Sequence, residues 1–173
     1  MKKELFLLAK KSAGAPIFLY NRITMRLAIV MLLLSVSIFA ADPDYSGIWK
    51  LNTRASEMRS LPEPAAETLR IEHRGVRIHC TAVPVNGGAP VSWDYTTDQT
   101  DAKYKIGDTS RRTQSKWEGN ALLVNTLVNS RDHSYTVMDR WKMSKDGKTL
   151  TIRRQVETPY GENEALLVYE KQN

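Results

Sequence analysis

Arg111, Thr113, Asp139 and Arg154 are polar or charged residues on strand faces that otherwise carry apolar side chains. If those faces turn inward, guanidinium and carboxylate groups enter an apolar interior, where a charge needs a partner or water. An arginine paired with Asp139 meets that need, and Arg111 or Arg154 would then bind an acidic group on a ligand. The competing reading is a twist or bulge that leaves them in solvent. Trp49, Trp93, Trp117 and Trp141 lie on four separate alternating segments. Side chains of this size either line an apolar ligand cavity or fill a core. The candidate ligand contacts are Trp93, Trp117, Trp141, Arg111 and Arg154.

Other chemistries find less support. His73 and His79 have opposite parity on one hairpin, so they face opposite sides, and His133 lies in a loop. No Cys, His and Asp spacing matches a zinc or iron site, so no metal is expected. Cys80 shares a face with Val76, Ile78 and Ala82, which reads as a buried, inert thiol. No nucleophile elbow or comparable catalytic motif occurs. Asp42, Asp44, Glu162 and Glu164 read as solvated loop carboxylates. No phosphate-binding glycine loop is present and no cofactor is expected. Arg111-Arg112 and Arg153-Arg154 are read as solvent faces or barrel ion pairs rather than phosphate sites.

The elements that would position these residues are short strands. Residues 45–52 read as the first, with Gly47 allowing close backbone approach and Trp49 carrying a large apolar area. Residues 52–58 suit at most a short helical turn capped by Asn52 or Thr53, ended by Leu61-Pro62-Glu63-Pro64. Residues 67–74 and 76–82 alternate around Gly75 as a hairpin. Alternation resumes at Val91, Trp93 and Tyr95, and at 103–106. Arg111, Thr113, Ser115 and Trp117 share a face of the next strand, and Glu118-Gly119-Asn120 turns it back. Residues 121–128 are apolar on both faces at first. Tyr135, Val137, Asp139, Trp141 and Met143 form one face of a long strand. Lys145-Asp146-Gly147-Lys148 leads to Leu150 and Ile152, Thr158-Pro159-Tyr160-Gly161 turns again, and 165–171 closes the series. About eight to ten strands joined by short turns predict an all-β, up-and-down antiparallel barrel, because sequential strands usually pair.

Length and charge bound the remainder. The chain has 173 residues and a net charge of +6. Six of its 25 Lys and Arg and one of its 19 Asp and Glu lie in residues 1–40, leaving 19 basic and 18 acidic residues in 41–173. The folded part is therefore near neutral and carries no nucleic-acid footprint. Leu27 to Ala40 is an apolar run preceded by Arg22 and Arg26. At 14 residues it is short for a membrane span and suits the hydrophobic segment of a secretory signal. Cleavage after Ala40 or Ala41 is expected, Met25 is a candidate start, and no cysteine near the site supports a lipid anchor. The single cysteine, Cys80, allows no internal disulfide, so the domain must be held by its core.

The motifs also carry a resemblance. Gly47-Ile48-Trp49 resembles the Gly-x-Trp motif of the calycins, the lipocalins and fatty-acid-binding proteins. Lys116-Trp117-Glu118-Gly119-Asn120 resembles the internal Lys-Trp-Asp-Gly hairpin of fatty-acid-binding proteins, and Val168-Tyr169-Glu170-Lys171 their last strand. The pattern is also similar to small secreted bacterial proteins of unknown function that begin Ser-Gly-x-Trp-Lys-Leu-Asn and carry an Asp-Gly-Lys-x-Leu hairpin, here Asp146 to Leu150. The resemblance implies a calycin-like barrel with Trp49 in its floor, and adds Tyr169 to the candidate ligand contacts. It also implies a basic residue from a late strand capping Trp49, with Arg153, Arg154 and Lys171 as candidates. The two arginines that complete the fatty-acid carboxylate clamp of that family fall on Leu167 and near Thr126, so the clamp is not carried over.

Together these features predict a signal segment over residues 1–40 and a barrel over 41–173, exported to the periplasm or beyond. The barrel is expected to be monomeric, to bind a small hydrophobic molecule without acting as an enzyme, and to keep no stable membrane anchor. The alternative is a filled barrel that serves as an interaction module for another envelope protein. An enzyme with a barrel-borne site is a third reading without a visible catalytic constellation.

Overall fold

The computed structural model describes residues 42–58, 61 and 65–173. The apolar run and both proposed cleavage points fall outside them, as does the Pro62-Glu63-Pro64 stop. The described residues are all β, with eleven strands and no helix. They are β1 (Gly47–Leu51), β2 (Glu57–Met58), β3 (Ala66–Arg74), β4 (Arg77–Pro84), β5 (Val91–Thr96), β6 (Ala102–Ile106), β7 (Thr109–Glu118), β8 (Ala121–Asn129), β9 (Ser134–Met143), β10 (Thr149–Thr158) and β11 (Gly161–Lys171).

One antiparallel sheet runs in the order β5-β4-β3-β1-β11-β10-β9-β8-β7-β6 and curls into a nearly closed barrel. From β6 to β11, every strand pairs with the next, as a meander of hairpins requires. The β1–β11 pair joins the two halves, with Trp49 opposite Lys171 and Leu51 opposite Tyr169. The seam lies between β5 and β6, where the ladder breaks. Below it, the described bridges are Asp98 with Lys116 and the Gln99 amide donating to the Ser115 carbonyl.

The local chemistry explains these elements. Along β3, β4, β7, β9 and β10 burial alternates with period two, so one face is buried and the other wet. The hairpins after β3 and β7 have two-residue loops led by Gly75 and Gly119, both at φ +59°. Glycine in that first position gives the primed turn that matches strand twist.

Several boundaries differ from the sequence expectation. Residues 52–58 form no helix, only a turn at 53–55 closed by the Ala55 amide donating to the Asn52 carbonyl at 3.2 Å. The Asn52 Oδ1 does accept from the Arg54 and Ala55 amides, as a cap would. The chain then returns to the sheet, because β2 pairs with β11 and the Ser56 hydroxyl accepts from the Val168 amide. Val76 lies in the turn, 51% exposed, so Ile78 rather than Val76 is the first inward residue of β4. Glu162 and Glu164 belong to β11, which starts at Gly161, and not to a loop.

A small buried cluster of Val128, Tyr135 and Val156 lies apart from the main core. The aromatic part of that core fills the end of the barrel where β1 begins. Tyr45 and Trp49 are fully buried there, with Leu122, Leu150, Leu167 and Ile78. The Trp49 indole donates to the Tyr45 carbonyl at 2.9 Å, and the Tyr45 hydroxyl donates to the Trp141 carbonyl at 3.1 Å. Tyr45 stacks on Trp117 with centroids 5.7 Å apart and meets Trp141 edge-on. Aromatic pairs of this kind add roughly 0.5–1.5 kcal/mol beyond their buried area.

Candidate functional site

Above this aromatic floor lies a cavity of about 360 Å³ inside the barrel. Its two sides differ. Strands β3 to β6 supply an apolar and aromatic wall, including Leu69, Ala82, Val91, Trp93, Tyr95 and Ile106. Strands β7 to β10 supply Arg111, Thr126, Asp139 and Arg154 among Val124, Val137 and Ile152. The division follows from the inward parity of each strand. Arg111 shares a face with Thr113, Asp139 with Trp141, and Arg154 with Ile152.

The charged groups are held in place. Arg154 grips Asp139 with two parallel bonds of 2.7 Å, Nε to one carboxylate oxygen and Nη2 to the other. The two residues are directly opposite in the β9–β10 register. The Asp139 side chain is 8% exposed and that of Arg154 23%, so this is a largely buried bidentate pair. Beside it, the Thr113 hydroxyl is 2.8 Å from that of Thr126 and 3.2 Å from that of Tyr104. The Arg111 Nη2 donates to the Thr109 hydroxyl at 3.5 Å. Trp93 and Tyr104 stack across the seam with centroids 6.5 Å apart.

Of the six sequence candidates, five line the cavity: Trp93, Trp141, Tyr169, Arg111 and Arg154. Trp117 does not, because it stacks on Tyr45 in the floor. The Tyr169 hydroxyl donates to the Ala66 carbonyl at 3.1 Å, and burial pushes its phenol up to about 12. Leu167 is buried and Thr126 bonds Thr113, so neither clamp position of the fatty-acid-binding pattern carries a cation. Sequence reasoning did not single out Tyr104, Thr126 or, Trp93 apart, the apolar wall of β3 to β5. Parity was the available signal, since Tyr104 shares a face with Ala102 and Ile106 and alternates with Lys103 and Lys105.

The remaining candidates fall elsewhere. Of the three basic residues proposed to cap Trp49, Lys171 takes the place, with Nζ 5.3 Å from the indole centroid. Arg153 is exposed on the outer face and Arg154 is committed to Asp139. His73 lies inside against Tyr45, while His79 lies outside, 2.8 Å from Asp94. Cys80 is fully buried beside the Tyr95 hydroxyl, and burial raises its thiol to about 12.

No family model matches the sequence, and no curated protein matches it. Solved structures do. The chain is similar to a secretory abundant heat soluble (SAHS) protein from Ramazzottius varieornatus, with a TM-score of 0.57 and 15% identity over 74% of this chain and 95% of that one. It is also similar to secretory abundant heat soluble protein 4 from the same organism, with a TM-score of 0.52 and 10% identity over 79% of this chain and all of that one. At these identities the likeness shows the fold, a nearly closed antiparallel barrel of the lipocalin and fatty-acid-binding kind.

Proposed function

We propose that residues 41–173 form a non-enzymatic carrier that binds a small, largely apolar molecule inside the barrel. The observation that carries this reading is the cavity of about 360 Å³, walled by aliphatic and aromatic side chains with a few fixed polar groups. Ligand sites have that character and begin at roughly 300 Å³. The ligand contacts proposed are Trp93, Trp141, Tyr169, Arg111 and Arg154, with Tyr104 added from the geometry. The cavity favours this reading over a filled barrel serving only as an interaction module. Export is part of the proposal. It is supported by the apolar run from Leu27 to Ala40 and by the secretory description of the similar structures.

Native mass spectrometry of purified residues 41–173, followed by organic extraction, tests the carrier. A bound small molecule, or saturable enhancement of a neutral dye such as Nile red with quenching of tryptophan emission, is the expected result. A protein that carries nothing and binds no hydrophobic probe would overturn it. Intact mass of exported material tests the signal, and retention of residue 25 or earlier would refute it.

A further inference from the structure

The polar wall of the cavity holds both a cation and the anion that neutralises it. Asp139 and Arg154 face each other across β9 and β10, and the Nε–Nη2 fork of the guanidinium is spent on the carboxylate. A ligand carboxylate approaching Arg154 would have to displace Asp139 or lie beside it. Two carboxylates at one site repel, and a largely buried charge stripped of its partner is costly. Asp139 therefore stands where the acidic head of an amphiphile would otherwise sit.

A neutral ligand meets no such obstacle. An ionised carboxylate offers about four acceptor positions, and Arg154 takes two. A ligand hydroxyl can donate to a remaining one without disturbing the pair. The opposite wall, with Leu69, Val91 and Trp93, would cover the hydrocarbon.

We infer that Asp139 is a specificity-determining residue: an internal counter-ion that makes the barrel take neutral, hydroxyl-bearing apolar molecules and reject their carboxylate counterparts. The inference rests on the carrier reading and names its ligand class. Arg111 lines the same cavity, and a carboxylate that bound there would give the opposite preference.

The test is a matched pair of ligands, decan-1-ol and decanoate, competing with Nile red at neutral pH. The wild-type protein is expected to bind the alcohol at least about tenfold more tightly than the acid. Asp139→Asn, which keeps shape and removes charge, should raise decanoate affinity at least about tenfold and so erase the preference for the alcohol. Asp139→Asn with Arg154→Gln should lose the gain, since the freed cation is gone. Equal binding of acid and alcohol by the wild-type protein, or preference for the acid, overturns the inference even if no variant folds. So does a folded Asp139→Asn protein whose decanoate affinity is unchanged. If Nile red binds no folded form, the carrier reading itself falls; if the dye binds but neither compound displaces it, or the wild-type protein binds both equally, only the ligand class does.

Discussion

Replacing Gly47 with alanine would test how the barrel floor is assembled. Gly47 sits at φ +147°, a region that side chains rarely adopt, and a Cβ there would lie 2.6 Å from the Lys171 Cε. Two costs follow. Holding alanine at that backbone angle costs about 1–3 kcal/mol. Displacing Lys171 from the Trp49 face forfeits about 0.5–1 kcal/mol of cation–π attraction at an exposed ammonium. Against them, alanine reduces the freedom of the unfolded chain by about 0.4–1 kcal/mol. The net expectation is a loss of about 1–3 kcal/mol, readable as a lowered urea midpoint with unchanged slope. Lys171→Ala should cost about 0.5–1 kcal/mol alone. Because it also removes the atom that the new Cβ would strike, the double variant should cost less than the sum, by about 0.5–1 kcal/mol. A Gly47→Ala protein within about 0.5 kcal/mol of wild type, or strict additivity, would refute the reasoning.

Other outcomes follow from the same structure. Trp49→Ala should lose about 3–5 kcal/mol, because the buried indole leaves a void at the floor; calorimetry or urea unfolding measures it. Alkaline pH should destabilise the fold through Cys80. Its thiol ionises near 9.0 when free and near 12 when buried, so the unfolded chain releases the proton first. Stability is then complete below pH 9 and falls by about 1.4 kcal/mol per pH unit above it, and Cys80→Ala should flatten that slope between pH 9 and 10. The same burial should keep Cys80 unlabelled by a thiol reagent at pH 8 until urea unfolds the protein. Trp93→Ala should weaken Nile red binding at least about fivefold while changing stability little, since Trp93 is only partly buried; unchanged dye affinity would remove it from the site.

The fold was legible where burial is one-sided. Along β9, Tyr135, Val137, Asp139 and Trp141 keep one parity, so even the charged member could be placed on the inner face and matched with an arginine. The floor was less legible. Trp117 has the same inward parity as Arg111, but parity does not say how deep along the axis a residue lies. Depth is decided by Tyr45, which precedes the first strand and plugs the end beneath Trp117. The stretch after β1 carries a cap at Asn52 and an acid at Glu57, and local propensity favours a helical turn. Pairing with β11 overrides it, since β1 ends at Leu51 and leaves the upper half of β11 unpaired on the edge away from β10. The seam was not visible either. Residues 97–101 look like any other turn between alternating runs.

That seam gives the molecule an unusual division. Strands adjacent in the chain, β5 and β6, share no ladder, whereas β1 and β11, far apart in the chain, are firmly joined. A nick in the 97–101 connection would cut the polypeptide where the sheet is already interrupted. The two pieces, β1 to β5 and β6 to β11, would keep their own hairpins and meet along one ladder, at β11, and through side chains such as Trp93 and Tyr104 at the seam. Such pieces are natural halves for fragment complementation, with the tryptophan floor formed only when both are present, so that reassembly would report itself through indole fluorescence.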